Sequence, residues 1–99
     1  MTSDITEDAA RQFAHRLETW PPTHSNGTWF VPHDVSYMVR FAPQEDAVQI
    51  TVHSHTNTEP TVRVQETVSG SAIQIADRAG ELYWAVRDED DWVVRGEDH

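Results

Sequence analysis

Two adjacent prolines, Pro21 and Pro22, divide the chain into a short stretch with helical periodicity and a long one with the periodicity of strands. Before them, Ile5, Ala9, Phe13 and Leu17 recur every four residues, with Ala10, Ala14 and Trp20 alongside. That row is the apolar stripe of an amphipathic helix. Asp4 and Glu7 have the spacing of a capping box, and Ser3 is the competing cap. A residue that precedes proline avoids helical dihedrals, so the pattern predicts a helix over about 4–20. Residues 23–27 then read as a loop.

After Gly27 the apolar positions alternate. Val35, Tyr37, Val39 and Phe41 form one set, Val48, Ile50 and Val52 a second, and Val62 and Val64 a third. Ile73 and Ile75, then Leu82, Trp84 and Val86, continue the alternation, and 29–31 and 92–94 read as short flanking strands. Period two with one apolar side marks a sheet buried on one face. The links at 43–46, 69–70, 78–80 and 88–91 are too short for a parallel crossover, so neighbours must be antiparallel; only 55–60 is somewhat longer. The expected class is α+β: one N-terminal amphipathic helix packed on a curled antiparallel meander of six to seven strands lying within 27–95. The 99 residues make a single domain, 1–99.

That arrangement leaves a shortage of cover. A helix of about 16 residues is roughly 24 Å long, while six strands at about 4.8 Å spacing outspan its width. Either the sheet curls around the helix or a second copy covers the remainder, so self-association as a homodimer is expected. The runs Trp29-Phe30-Val31 and Trp92-Val93-Val94, apolar on both faces, point the same way.

Charge narrows the partners. The chain carries 17 acidic residues against seven arginines, for a formal net charge of −10, and has no lysine and no cysteine. Missing cysteine excludes disulfides, thiolate metal sites and a cysteine nucleophile. The acidic balance disfavours nucleic acid and anionic lipid and favours solubility. A lysine-free acidic composition fits a salt-in halophile, with a high-GC genome as the other source. Residues 1–6 lack the pattern of a signal peptide and no apolar run has the length of a membrane span, so a cytoplasmic protein with no membrane contact is expected.

Four groups of residues bear on function. On the polar side of the expected sheet, Arg40, Arg63, Arg87 and Arg95 project together, with His53, Gln65, Gln74 and Tyr83. Guanidinium forks bind carboxylate and phosphate directionally, so Arg40, Arg63, Arg87, Tyr83 and His53 are the candidate binding residues for a protein partner or a small anionic ligand. The plainer reading pairs these arginines with neighbouring carboxylates. His53 and His55, two apart on a strand, share a face, and Glu59 follows; His and Glu suit a divalent transition metal. This His-x-His-x3-Glu run resembles the first metal motif of the cupin family. The resemblance covers about seven residues and implies a metal-binding sensor or enzyme. Ala47 and Glu66 stand where the family's flanking glycines would fall, and after His55 only His99 remains as a further histidine. The plainer reading is two solvent-facing histidines, with no cofactor. The run Asp88-Glu89-Asp90-Asp91 reads as a solvated hairpin tip rather than a calcium loop. His33-Asp34 has the form of an oriented base, yet no nucleophile elbow or phosphate loop accompanies it.

The favoured reading is a small acidic, non-catalytic binding domain that self-associates. The alternatives are the metal-dependent cupin-like sensor or enzyme, and an antitoxin, immunity protein or nucleic-acid mimic.

Overall fold

The computed structural model describes residues 4–19, 21–33, 36–56 and 59–96, with the side chains of 4, 56, 59 and 91–96 excepted. Ser3, Trp20, Asp34, Val35 and His99, and the side chains of Asp4, Glu59, Trp92 and Arg95, which entered the sequence reading, lie outside the described residues. Helix α1 (Asp4–Leu17) precedes strands β1 (Thr23–Ser25), β2 (Thr28–His33), β3 (Tyr37–Pro43), β4 (Val48–Thr56) and β5 (Glu59–Val68), and helix α2 (Ala72–Gly96) follows them. The α+β class and the antiparallel meander hold, with strand order β1-β2-β3-β4-β5. The strand count is five rather than six or seven, and there are two helices rather than one.

Helix α1 buries Ala9, Ala10, Phe13 and Ala14 of the expected stripe, with Leu17 packed at its end, but Ile5, expected to open the stripe, is 41 % exposed. It stops before the prolines. Glu18 takes a left-handed φ of 54°. Its N–H donates to His15 O (3.0 Å), and the Thr19 N–H donates to Ala14 O (3.2 Å). This is the double closure of a Schellman motif, with glutamate where glycine is usual. The expected loop at 23–27 contains strand β1 and a two-residue turn at Asn26 and Gly27, whose φ values are 51° and 80°. Both positive angles suit the Asn-Gly turn that matches the twist of a hairpin.

The largest correction is α2. The residues expected as strands at 73–75, 82–86 and 92–94 belong to one helix of 25 residues. Ile75, Ala76, Ala79, Leu82, Tyr83 and Val86 are its buried positions. They follow a 3.6-residue period once alanines are counted as core. A capping box starts the helix: the Gln74 N–H donates to Ser71 Oγ (3.2 Å) and the Ser71 N–H donates to Gln74 Oε1 (2.9 Å). The supposed turn at 78–80 is mid-helix, and the acidic run at 88–91 lies in the helix rather than at a hairpin tip.

Both helices lie on one face of the sheet, α1 over β2 and β3, α2 over β4 and β5, and they also pack on each other. Val31, Val39, Phe41, Val48, Ile50 and Val52 face them and are fully buried. Phe13 ties the layers together, 5.6 Å from the Phe41 ring and 5.9 Å, edge-on, from Tyr83. Helix α2 therefore supplies the cover that one helix lacked, and the shortage argument for a second copy falls away. Among the described residues no helix is long and apolar enough to cross a membrane.

Strand β5 holds an irregularity. Val52 pairs with Val64, and His53 pairs with Val62, so Arg63 is an extra residue. Such a bulge re-aims side chains. Val64 stays inward, Val62 turns outward and is 55 % exposed, and Arg63 turns toward α2.

Candidate functional site

The five candidate binding residues divide between the two faces of the sheet. Arg40 and His53 stand on the outer face, away from the helices. Arg63, Arg87 and Tyr83 stand on the helix side, contrary to the expectation of one shared polar face. Tyr83 belongs to α2 and is fully buried.

On the helix side these residues are already engaged. Arg63 holds Asp90 of α2 through two bonds, Nη2 to Oδ1 (2.8 Å) and Nη1 to Oδ2 (2.9 Å), and reaches Glu89 (3.3 Å) and Ser54 Oγ (3.3 Å). The Tyr37 hydroxyl donates to Asp90 Oδ2 (2.5 Å). Burial, and then the bond to Asp90, push the Tyr37 hydroxyl up to about 12. The Arg63 bond holds the Asp90 carboxyl below its ordinary value, partly against its desolvation. The Arg87 guanidinium lies 4.9 Å from the Tyr37 ring centre, 5.6 Å from Trp84 and 5.8 Å from Tyr83. Its Nη1 donates to the Tyr83 hydroxyl (3.0 Å), which also hydrogen-bonds His33 Nδ1. Cation–π and charge-assisted bonds of this kind fasten α2 to β2, β3 and β5. His33 Nδ1 thus meets two groups of α2, the Tyr83 hydroxyl and, at 3.4 Å, Arg87 Nη1.

Beside this cluster an open groove of about 780 Å³ separates α2 from β5. Val64, Leu82, Ala85 and Val86 give it apolar walls, and Arg63, Asp88 and Glu89 stand at its rim. Strand β5 is an edge of the sheet.

The outer face is built in rows across the strands. Phe30, Arg40, Thr51 and Gln65 form one; Pro32, Met38, His53 and Val62 form the next; Ala42, Gln49 and Thr67 form a third. None of these is acidic, in a chain with 17 carboxylate side chains. Glu66, the acid within the regular part of β5, pairs with inward Ile50 and is bound by Arg78 of α2 at 2.6 and 2.8 Å. Thr51 is fully buried although no helix lies over it, because longer side chains flank it in both directions. It hydrogen-bonds Gln65 (3.3 Å). Arg40 Nε is buried without a hydrogen-bond partner. Burial, then the charges of Arg40 and His55, hold the His53 imidazole below its ordinary pKa.

His53 and His55 lie on β4, and Glu59 opens β5 opposite Thr56 with its side chain outside the described residues. Among the described residues no group of three or more histidine and acidic side chains is placed to hold a metal ion. Sequence reading missed the contribution of Phe30 and Val62 to the outer face. It did contain the needed signal, because the polar positions of its strands held Arg, His, Gln, Thr and Ser but no Asp or Glu. Comparison with family models, curated proteins and solved structures finds no match to this chain.

Proposed function

We propose that the protein is a small, non-catalytic binding domain that works as a dimer, two copies stacking outer sheet face on outer sheet face. The observation that carries this reading is the segregation of charge: among the described residues, the rows on that face hold no carboxylate. Two bodies of charge −10 repel. They approach with least opposition where neither presents an acid. Protein interfaces are depleted in Asp, Glu and Lys at their centres and enriched in aromatic residues, Met and Arg. Phe30, Met38 and Arg40 at the centre of the face fit that composition. Stacked sheets sit about 10 Å apart with strands roughly 30° from aligned. Four or five strands about 4.8 Å apart and some 20 Å long offer on the order of 400–500 Å² per copy, about half of the roughly 800 Å² of a standard interface and of the size of a weak, reversible contact. The Gln49 and Gln65 carbonyls of a facing copy are suitable acceptors for the Arg40 fork.

The lysine-free acidic composition supports placing this dimer in a salt-rich cytoplasm. At molar salt the screening length shrinks to about 3 Å, and the remaining repulsion between the copies is removed. Sedimentation velocity in 0.2 M and 2 M KCl tests the reading. A dimer is expected that Met38→Glu and Ala42→Glu each convert to a folded monomer. A wild-type monomer at both salt concentrations, or a dimer indifferent to both substitutions, rejects it.

A further inference from the structure

We infer that the groove between α2 and the open edge of β5 takes an extended segment of a partner protein, added to the sheet as a sixth strand, whose groove-facing side chains, at every second position, are apolar along the walls and basic at the rim. The inference rests on the chain being a binding domain, but not on the dimer, whose face lies on the other side of the sheet.

Three features of the structure converge. First, β5 is an edge, and an edge strand offers unpaired backbone groups to an extended chain. The bulge at Arg63 blunts the first half of that edge, so regular pairing is available beside 64–68, about 17 Å of strand. Second, an added strand would place every second side chain on the helix side of the sheet. There the groove waits with Val64, Leu82, Ala85 and Val86 on its walls and a volume of about 780 Å³. That volume is in the range of ligand pockets. Third, the rim selects the charge of the occupant. Arg63 is already shared between Asp90 and Glu89, and Asp88 adds a further carboxylate to the groove's lining. The Glu89 side chain is 69 % exposed. The overall charge steers cations toward this rim. A second copy is a poor occupant, because two β5 edges meeting would bring the same carboxylates together.

The probe is a synthetic seven-residue peptide with valine at positions 1 and 3, lysine at positions 5 and 7 and threonine between, so that valines and lysines share one face of the strand. Its controls are the glutamate–valine peptide and a lysine–glycine peptide of equal charge. Each is titrated by NMR at the lowest KCl that keeps the native circular dichroism. The expected result is saturable binding of the lysine–valine peptide, with shifts at Leu82, Ala85 and Val86 and slowed amide exchange within 64–68. Ala85→Arg, at an exposed helix position that projects into the groove, is expected to weaken binding at least tenfold. No saturable binding overturns the inference, as does equal binding of the lysine–glycine peptide or an unchanged affinity in Ala85→Arg. Binding by the Met38→Glu protein at wild-type affinity supports it. A monomeric wild-type chain that still binds the peptide rejects the dimer and leaves this inference standing.

Discussion

At the scale of single residues, two positions hold unfavourable states that their surroundings enforce. Glu18 closes α1 in a left-handed conformation, which a side chain with a β-carbon occupies at a penalty of about 1 kcal/mol. Its neighbours hold it there by two backbone bonds. Glu18→Gly should therefore raise unfolding stability by about 0.5–1 kcal/mol, readable as a higher urea midpoint at unchanged slope; a fall in the midpoint would show that the glutamate side chain contributes more than the strain costs. His53 is the second. Its folded pKa lies below the ordinary value, so the unfolded chain takes up the proton first as pH falls. The neutral imidazole's contribution is whole above about pH 6.5 and is lost as the pH drops through the folded pKa. Unfolding midpoints at pH 7.5 and 5.5 should differ in that direction in the wild type, and the difference should shrink in His53→Gln.

Elements are decided by several residues at once, and α2 illustrates how. Leu82, Trp84 and Val86 alternate over five positions, which reads as a strand, and Gly80 reads as a turn. The helical row becomes visible only with Ala76 and Ala79 counted as buried surface. The Ser71–Gln74 pair was a legible start signal, since Ser-x-x-Gln has the form of a capping box. The acidic run at 88–91 worked against a helix, because carboxylates in its last third oppose the dipole. Asp90 is tolerated because Arg63 and Tyr37 meet it from β5 and β3, partners that no local pattern reveals. Gly80 remains a weak point of this helix. A methyl group there would meet nothing within 4 Å. Gly80→Ala should thus stabilise the fold by about 1 kcal/mol, seen as a higher melting temperature; no gain would mean that the glycine serves a contact made by a partner.

For the whole molecule the central fact is where the charge lies. The acids of α1, α2 and the 44–47 turn leave the outer sheet rows bare of carboxylate. A dimer built on those rows keeps both acidic helix layers on its outside. Its dissociation constant should fall as KCl rises from 0.2 to 2 M, since salt removes long-range repulsion while apolar contact persists. Equilibrium sedimentation measures this, and affinity that weakens with salt would assign the contact to ion pairs instead.

The local patterns by themselves determined α1 and the pairing of β3, β4 and much of β5, because apolar periods of 3.6 and two each bury one face of one element. They also determined that the polar side of those strands is free of acid. Tertiary structure alone decided that residues 72–96 coil rather than extend, since the helix depends on a shared core with α1 and on a carboxylate held from two strands. It alone decided that Arg63 and Val62 exchange faces, because one unpaired residue in β5 inverts the alternation beyond it.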